Sequence, residues 1–357
     1  MNKSKYEISK SDILNGYNFS RHSSLTYSEI VSNKEFEQIK SSNIVRIYST
    51  DEFVMYKLKS FEIFEDSIIF CNTALLKDLF IQLKKSKHLM NIKLITHQSD
   101  IPITKKLFNQ KPSCIAEWFA VNVDHKDKNL HPLPLGIANN FQKKYFYKED
   151  IKIFDDLFIT NAKAKMYLNF QKNTNLKERN ELYSFFASKD WVDVDEPNLS
   201  IEDYEKKLND STFVLCPWGN GIDTHRIWES LYMGKIPITK YHHTFSNLNK
   251  LPILFVEDYK QVDKNLLSDF INKYDRSKYD LTLLNTLSWI NQMKINSTSN
   301  SEVFEIFNEN VIIVEFRKFS FNSRNKIRSK IKIFNYYLNQ FKKIYTLIGK
   351  NRNNLTA

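Results

Sequence analysis

The stretch from Thr212 to Thr239, TFVLCPWGNGIDTHRIWESLYMGKIPIT, constrains the fold of this chain more than any other, because it reads as strand, turn, helix and strand in immediate succession. Thr212 to Cys216 is a short apolar run of strand formers, and Pro217 to Ile222 is a loop punctuated by Gly219 and Gly221. Asp223 stands where a helix cap is needed and Gly234 where a helix should stop. A strand that leads directly through a helix to another strand is the building unit of an α/β sheet.

The predicted helix departs from an ordinary first turn. Helix N-termini carry partial positive charge and normally attract acidic residues, yet His225 and Arg226 follow Asp223 directly. Basic groups there cost stability unless an anion sits above them, and free amides beside an arginine make a phosphate site. On a helical wheel Ile227, Trp228, Leu231 and Tyr232 share one side, while His225, Arg226 and Glu229 cluster on the other. The apolar side packs and the polar side is presented. Glu229 then stands one turn inside Arg226, placed to accept from ribose hydroxyls while the turn amides and Arg226 hold a diphosphate. The same spacing also permits a plain Arg226–Glu229 pair on a solvated helix.

Taken together, Pro217, Gly219, Asn220, Gly221, Asp223, His225, Arg226, Trp228, Glu229, Gly234 and Pro237 fall in the order and spacing of the donor-binding motif of exostosin-like glycosyltransferases, which this segment resembles. A more distant similarity extends to fucosyltransferases. The resemblance implies an α/β protein of GT-B type, two Rossmann-like domains facing a cleft, with a nucleotide sugar held by the C-terminal one. It implies inversion, and we expect transfer of a hexosyl or pentosyl group to a glycan or glycolipid acceptor in cell-surface polysaccharide synthesis, with no metal or other cofactor because a basic helix-terminal diphosphate clamp makes one unnecessary. The passages KLITHQSDIPI and EWFAVNVDHKDKNLHPLPLGI, the second ending in the turn Pro134 to Gly136, also look like N-terminal segments found with this motif. Members of the group often carry a Thr-Asn followed by Glu-Arg in the first strand-helix unit of the donor domain. Thr174, Asn175, Glu178 and Arg179 match that pattern, which makes Arg179 a further donor-binding candidate.

Length and composition agree with such a fold: 357 residues suggest two domains, and 42% hydrophobic content supports sizeable cores. We expect an acceptor-side domain over 1–160, a donor domain over 161–315 and a basic helical tail over 316–357. In the first half, Asn43 to Ser49, Ser67 to Cys71, Asn91 to His97 and Glu117 to Val123 read as strands and Ala74 to Lys87 as a helix. Further on, Tyr167 opens a strand, Asn175 and Ser200 cap helices, the latter in a box with Asp203, and Leu254 to Val256 is a buried strand. Cys71, Cys114 and Cys216 each lie in or beside an apolar run and read as reduced core residues.

The net charge of +11 is concentrated at one end, since the segment from Phe316 to Ala357 holds eleven Lys and Arg and no acid. Ile327, Ile331, Phe334, Leu338, Phe341, Tyr345 and Ile348 recur there at three- and four-residue intervals, the pattern of an amphipathic helix with a basic face. Such a helix suits an anionic membrane surface, or packing back onto the N-terminal domain, or one face for each. The N-terminal MNKSKYEISKSD lacks the apolar core of a signal peptide, and no apolar run reaches the ~20 residues that span a bilayer. The expectation is a cytoplasmic protein, peripheral on the inner membrane face where the tail meets lipid.

Sugar transfer needs a base for the acceptor hydroxyl and a cationic site for the departing diphosphate. Asp100 is the first candidate base and His97 the second, because both follow a predicted strand at the carboxyl end where ligands of such sheets collect. Asp223 is a third, although capping accounts for it. Asp193, Val194 and Asp195 spell the Asp-x-Asp of metal-dependent transferases, but this pattern arises easily by chance among 41 acidic residues. Two other classes remain. A nucleic-acid binder would use the basic tail and the 14% aromatic content, but would leave the Pro-Trp-Gly-Asn-Gly turn and Glu229 without a purpose. A non-catalytic sugar or nucleotide binder would keep the same fold without turnover.

Overall fold

The computed structural model describes residues 5–139, 141–142, 150–154, 158, 162–294, 303–310, 312–327 and 330–331. Two main sheets organise them. The first has seven strands, in the order Ile44–Ser49, Phe53–Leu58, Leu25–Ser32, Ile68–Asn72, Ile92–His97, Ile115–Ala120 and Leu130–Pro132. From Leu25–Ser32 onward the neighbours are parallel, and the Ile44–Leu58 hairpin adds an antiparallel edge. The inner strands Ile68–Asn72 and Ile92–His97 are buried along their whole length, as strands between parallel neighbours in a sheet covered on both faces are.

The second sheet has five strands, all parallel, in the order Val192–Val194, Met166–Leu168, Phe213–Leu215, Ile236–Lys240 and Leu254–Val256. By chain position this is the order 2-1-3-4-5. The winding reverses between Met166–Leu168 and Phe213–Leu215, and in open α/β sheets the crevice beyond the carboxyl ends at such a reversal is where ligands collect. Helices Leu176–Phe186, Ile201–Asn209 and His225–Tyr232 connect these strands.

Element boundaries moved for identifiable reasons. The expected helix Ala74 to Lys87 is a 3-10 turn at Thr73–Leu75 followed by an α-helix at Leu76–Leu83. It stops because the apolar row Leu76, Leu79, Phe80 and Leu83 would continue onto Ser86 and Lys87. The strand expected over Glu117 to Val123 is Ile115–Ala120, after which Asn122 takes a φ of 55° and turns the chain. Of the Asp-x-Asp acids, Asp193 lies within the edge strand Val192–Val194 and Asp195 directly after it, and they pair with Lys165 and Lys207. The three cysteines are buried and unpaired.

One apolar cluster links the sheets, running from Phe19, Phe70 and Ile95 to Met166, Phe213, Trp228 and Leu284. The hydroxyl of Tyr232 accepts from Leu14 N at 2.8 Å and donates to Leu284 O at 2.6 Å, tying both halves to one side chain. Late in the chain, the strand Phe304–Asn308 returns to pair with Ser60–Phe64. A helix over 312–327 follows and packs on the first half through Val314 and Phe321. Most of the expected basic tail, residues 332–357, lies outside the described residues.

Candidate active site

The carboxyl ends of the two sheets face one another across a cavity of about 270 Å³. Its second-sheet wall is formed at the winding reversal, by Phe170, Gln171 and Thr174 after Met166–Leu168 and by the turn after Phe213–Leu215 with Thr224 and, from the following helix, His225, Arg226 and Glu229. Asp100, Leu135, Ala138 and Gln142 close it from the first half. Gly219, Asn220, Gly221, Asp223, His225, Arg226, Glu229, Arg179 and Asp100 are thus all brought to one cavity. His97 is not among its lining.

The turn is held from three directions. Gly219 N donates to Gly221 O at 2.9 Å, closing the loop on itself. The side-chain oxygen of Asn122, from the first sheet, accepts from Ile222 N at 2.9 Å and Asp223 N at 3.1 Å. A Cβ on Gly221 would lie 2.9 Å from Asn122 Nδ2, so a larger residue there would push the Asn122 side chain away from the turn amides. From the third direction, Arg179 donates Nε to Trp218 O at 2.9 Å, one terminal nitrogen to Pro217 O at 2.7 Å and the other to Gln171 O at 2.7 Å. Arg179 therefore stitches together the two loops at the reversal. Burial, and next the charge of nearby Arg226, bring its pKa down to about 10. The phosphate-reaching role expected of it gives way to a supporting one, because three of its donors are committed to carbonyls.

The helix begins one residue later than expected. Its cap position is Thr224, which makes no side-chain capping bond, and the Thr224 hydroxyl is buried without a partner. Asp223 turns away from the helix amides: one carboxyl oxygen accepts from Leu135 N at 2.8 Å and the other from Trp228 Nε1 at 2.9 Å. It clips the helix to the first half, and burial pushes its pKa up to about 7 against these donors. Both oxygens being engaged, Asp223 is poorly placed to take a proton from an acceptor.

His225, Arg226 and Glu229, on the polar side of the helix, line the cavity. Ile227, Trp228 and Leu231 are fully buried, each contributing roughly 2 kcal/mol through burial. His225 Nδ1 lies 2.7 Å from Gly136 O, so the nitrogen donates and Nε2 is the acceptor in the neutral ring. Gly136 has a φ of 71°, and a Cβ there would lie 2.0 Å from Leu14 O. Glu229 is buried and accepts from the Tyr204 hydroxyl at 3.1 Å. Arg226 is half-buried, its guanidinium 4.9 Å from the centre of the Tyr204 ring. Among the described residues its side chain makes one hydrogen bond, to Asn169 Oδ1 at 3.3 Å, and the alternative Arg226–Glu229 ion pair is not formed. A partly desolvated cation with most of its donors unused, beside an uncapped helix N-terminus, is suited to an anion.

The two candidate bases part company here. Asp100 is exposed and lines the cavity. His97 is buried, with Nε2 donating to Pro134 O at 3.2 Å and Nδ1 accepting from Gln98 N at 2.7 Å. Burial, the largest cause, lowers its pKa to about 3. With both nitrogens committed, His97 is a packing residue and not a base.

Several site residues escaped the sequence reading. Nothing in the sequence singles out Asn122, whose hold on the turn depends on a positive φ that sequence does not display. Asn169, Gln171 and Tyr204 stand in polar stretches that resemble ordinary loops and helix surfaces.

Residues 158–312 match the family of the RXYLT1 C-terminal domain, an exostosin-related glycosyltransferase domain. The matched segment contains the whole five-stranded sheet and the second-sheet wall of the cavity. It covers less than half of the chain, and it indicates a glycosyltransferase-like function for that part. No curated protein matches the chain.

Proposed function

We propose that the protein transfers a sugar from a nucleotide-sugar donor to a glycan or glycolipid acceptor, as a GT-B-type enzyme whose two sheets are its acceptor and donor halves. The observation that carries the reading is Arg226, whose unused donors face the cavity beside an uncapped helix N-terminus at the winding reversal of a parallel sheet. In this reading the diphosphate sits between the 219–221 turn, the Thr224 hydroxyl and Arg226, and Glu229 takes hydrogen bonds from the ribose. Asp100, on the opposite wall, accepts the proton of the acceptor hydroxyl. The acceptor oxygen attacks the anomeric carbon as its bond to the diphosphate breaks, and the diphosphate leaves with its negative charge against Arg226. Attack from the face opposite the leaving group gives inversion. Arg226 and the helix supply the charge stabilisation that a divalent cation provides elsewhere, so the proposed reaction needs no metal. The match to an exostosin-related domain supports the reaction class, and a role in cell-surface polysaccharide synthesis is the setting we propose.

The test is turnover of a mixed nucleotide-sugar library, read as release of free nucleoside diphosphate. Asp100→Asn should lower the rate by about 10²-fold or more, the usual worth of a general base. Arg226→Ala should lower it by a comparable factor, as expected for removing a cation that stabilises the leaving group. Normal turnover in Arg226→Ala would contradict the donor-site assignment.

A further inference from the structure

The helix over 312–327 has two faces with different fates. Val314 is 2% exposed and Phe321 packs against the first half, with Asn322 Nδ2 donating to Ile47 O at 3.0 Å. At its start Arg317 pairs with Glu309 and Asp78, which also hold the fully buried Lys57. That face is anchored. On the opposite side Ile312, Phe316 and Phe319 are 80%, 69% and 71% exposed, and Ile327 and Ile331 continue the row at helical spacing. A folded helix that buries one apolar row and leaves a second, with two phenylalanines, in water needs a partner for the second.

The charges identify that partner. On the wheel Arg324 lies on one side of the exposed row and Lys326 on the other, and Lys330 sits within the row; all three are exposed. Bases on both borders of an apolar stripe suit an interface in which rings enter hydrocarbon while ammonium and guanidinium groups reach phosphate. Glu315, the acid at the border, is paired with Lys318. A second copy of the chain is a poorer occupant, because a two-fold contact along this stripe would gather Arg324, Lys326 and Lys330 of both copies along one seam, where Glu315 is already paired with Lys318. The sequence beyond the described residues repeats the same apolar spacing through Ile348 and carries no acid.

We propose that the outward face of the helix over 312–327, with Lys330 beyond it, docks the protein on an anionic phospholipid surface, Phe316 and Phe319 entering the acyl boundary and Arg324, Lys326 and Lys330 meeting lipid phosphates. This inference does not depend on the reaction proposed above. The test is co-sedimentation of the full chain with vesicles of phosphatidylcholine alone or of phosphatidylcholine with phosphatidylglycerol, at low and high salt, for wild type and the double variant Phe316→Ser, Phe319→Ser. Wild type should bind the anionic vesicles in a salt-sensitive way and the neutral ones weakly, and the variant should lose about tenfold or more of the affinity while melting at the wild-type temperature. Failure of wild type to bind anionic vesicles, or undiminished binding by the variant, would overturn the proposal. So would a lowered melting temperature in the variant, showing a face packed within the protein, or a wild-type dimer that the variant dissolves.

Discussion

Both ring nitrogens of His97 are occupied inside the protein, so the ring is neutral in the fold and must gain a proton only when the chain opens. Its pKa is about 3 when folded against an ordinary value of 6.5. Between those values the unfolded chain binds the extra proton, so the stability His97 contributes is complete above about pH 6.5 and is lost as pH falls towards 3. His97→Gln, which cannot take up that proton, should show a shallower loss of unfolding free energy over this window, measured by urea titration at successive pH values. An unchanged slope would contradict the neutral, doubly bonded ring. The His97 error has a simple origin: a histidine at a strand end looks alike whether its nitrogens face a cleft or a carbonyl. Arg226 was legible, because a basic first turn is a visible departure from the rule that acids belong there. Glu29 shows the reverse case. It lies fully buried in the strand Leu25–Ser32, satisfied by Ser20, Arg21 and the Tyr56 hydroxyl, and a charged residue in LTYSEIVS hides the strand from a reading based on apolar runs.

The strand, turn and helix around the cavity act as one piece because Arg179 joins two loops that are distant in sequence. Removing it should disorder the turn as well as remove charge, since the Pro217, Trp218 and Gln171 carbonyls would lose their donors together. Arg179→Met should therefore cost about 3 kcal/mol of unfolding free energy, in the range for breaking charge-assisted hydrogen bonds. Arg226→Met, which breaks one long bond, should stay within about 0.5 kcal/mol of wild type. Urea midpoints at unchanged slope measure both, and equal costs would contradict the division of labour between the two arginines. The elements of this unit were readable from hydrophobic runs and glycine punctuation: the expected strand Leu254 to Val256 is present with those bounds, and Gly234 follows the end of its helix with a φ of 65°. The cap was misassigned, because Asp223 and Thr224 are both good capping residues. Only the position of Leu135, supplied by the other half of the molecule, decides which way Asp223 turns.

At the scale of the whole molecule, the cavity exists because the halves are tied together. Asn122 holds the turn amides, Asp223 reaches Leu135, His225 reaches Gly136, and Thr244 Oγ1 donates to Val123 O at 2.8 Å. The chain then returns, with Phe304–Asn308 laid beside Ser60–Phe64. That return was not legible. Neither strand carries a signature of its partner, and the pairing joins segments about 240 residues apart. The two-sheet outline was readable, because alternating apolar runs and helices leave few other architectures. What the arrangement offers a ligand is a cation and a helix terminus opposite the Asp100 carboxylate, and the proposed function rests on a nucleoside diphosphate occupying it. The most direct measurement is the melting temperature of wild type and Arg226→Ala with UDP or GDP added singly. The account predicts that at least one nucleotide raises the wild-type melting temperature and that the rise disappears in the variant. No rise with any nucleotide, or the same rise in both proteins, would contradict it.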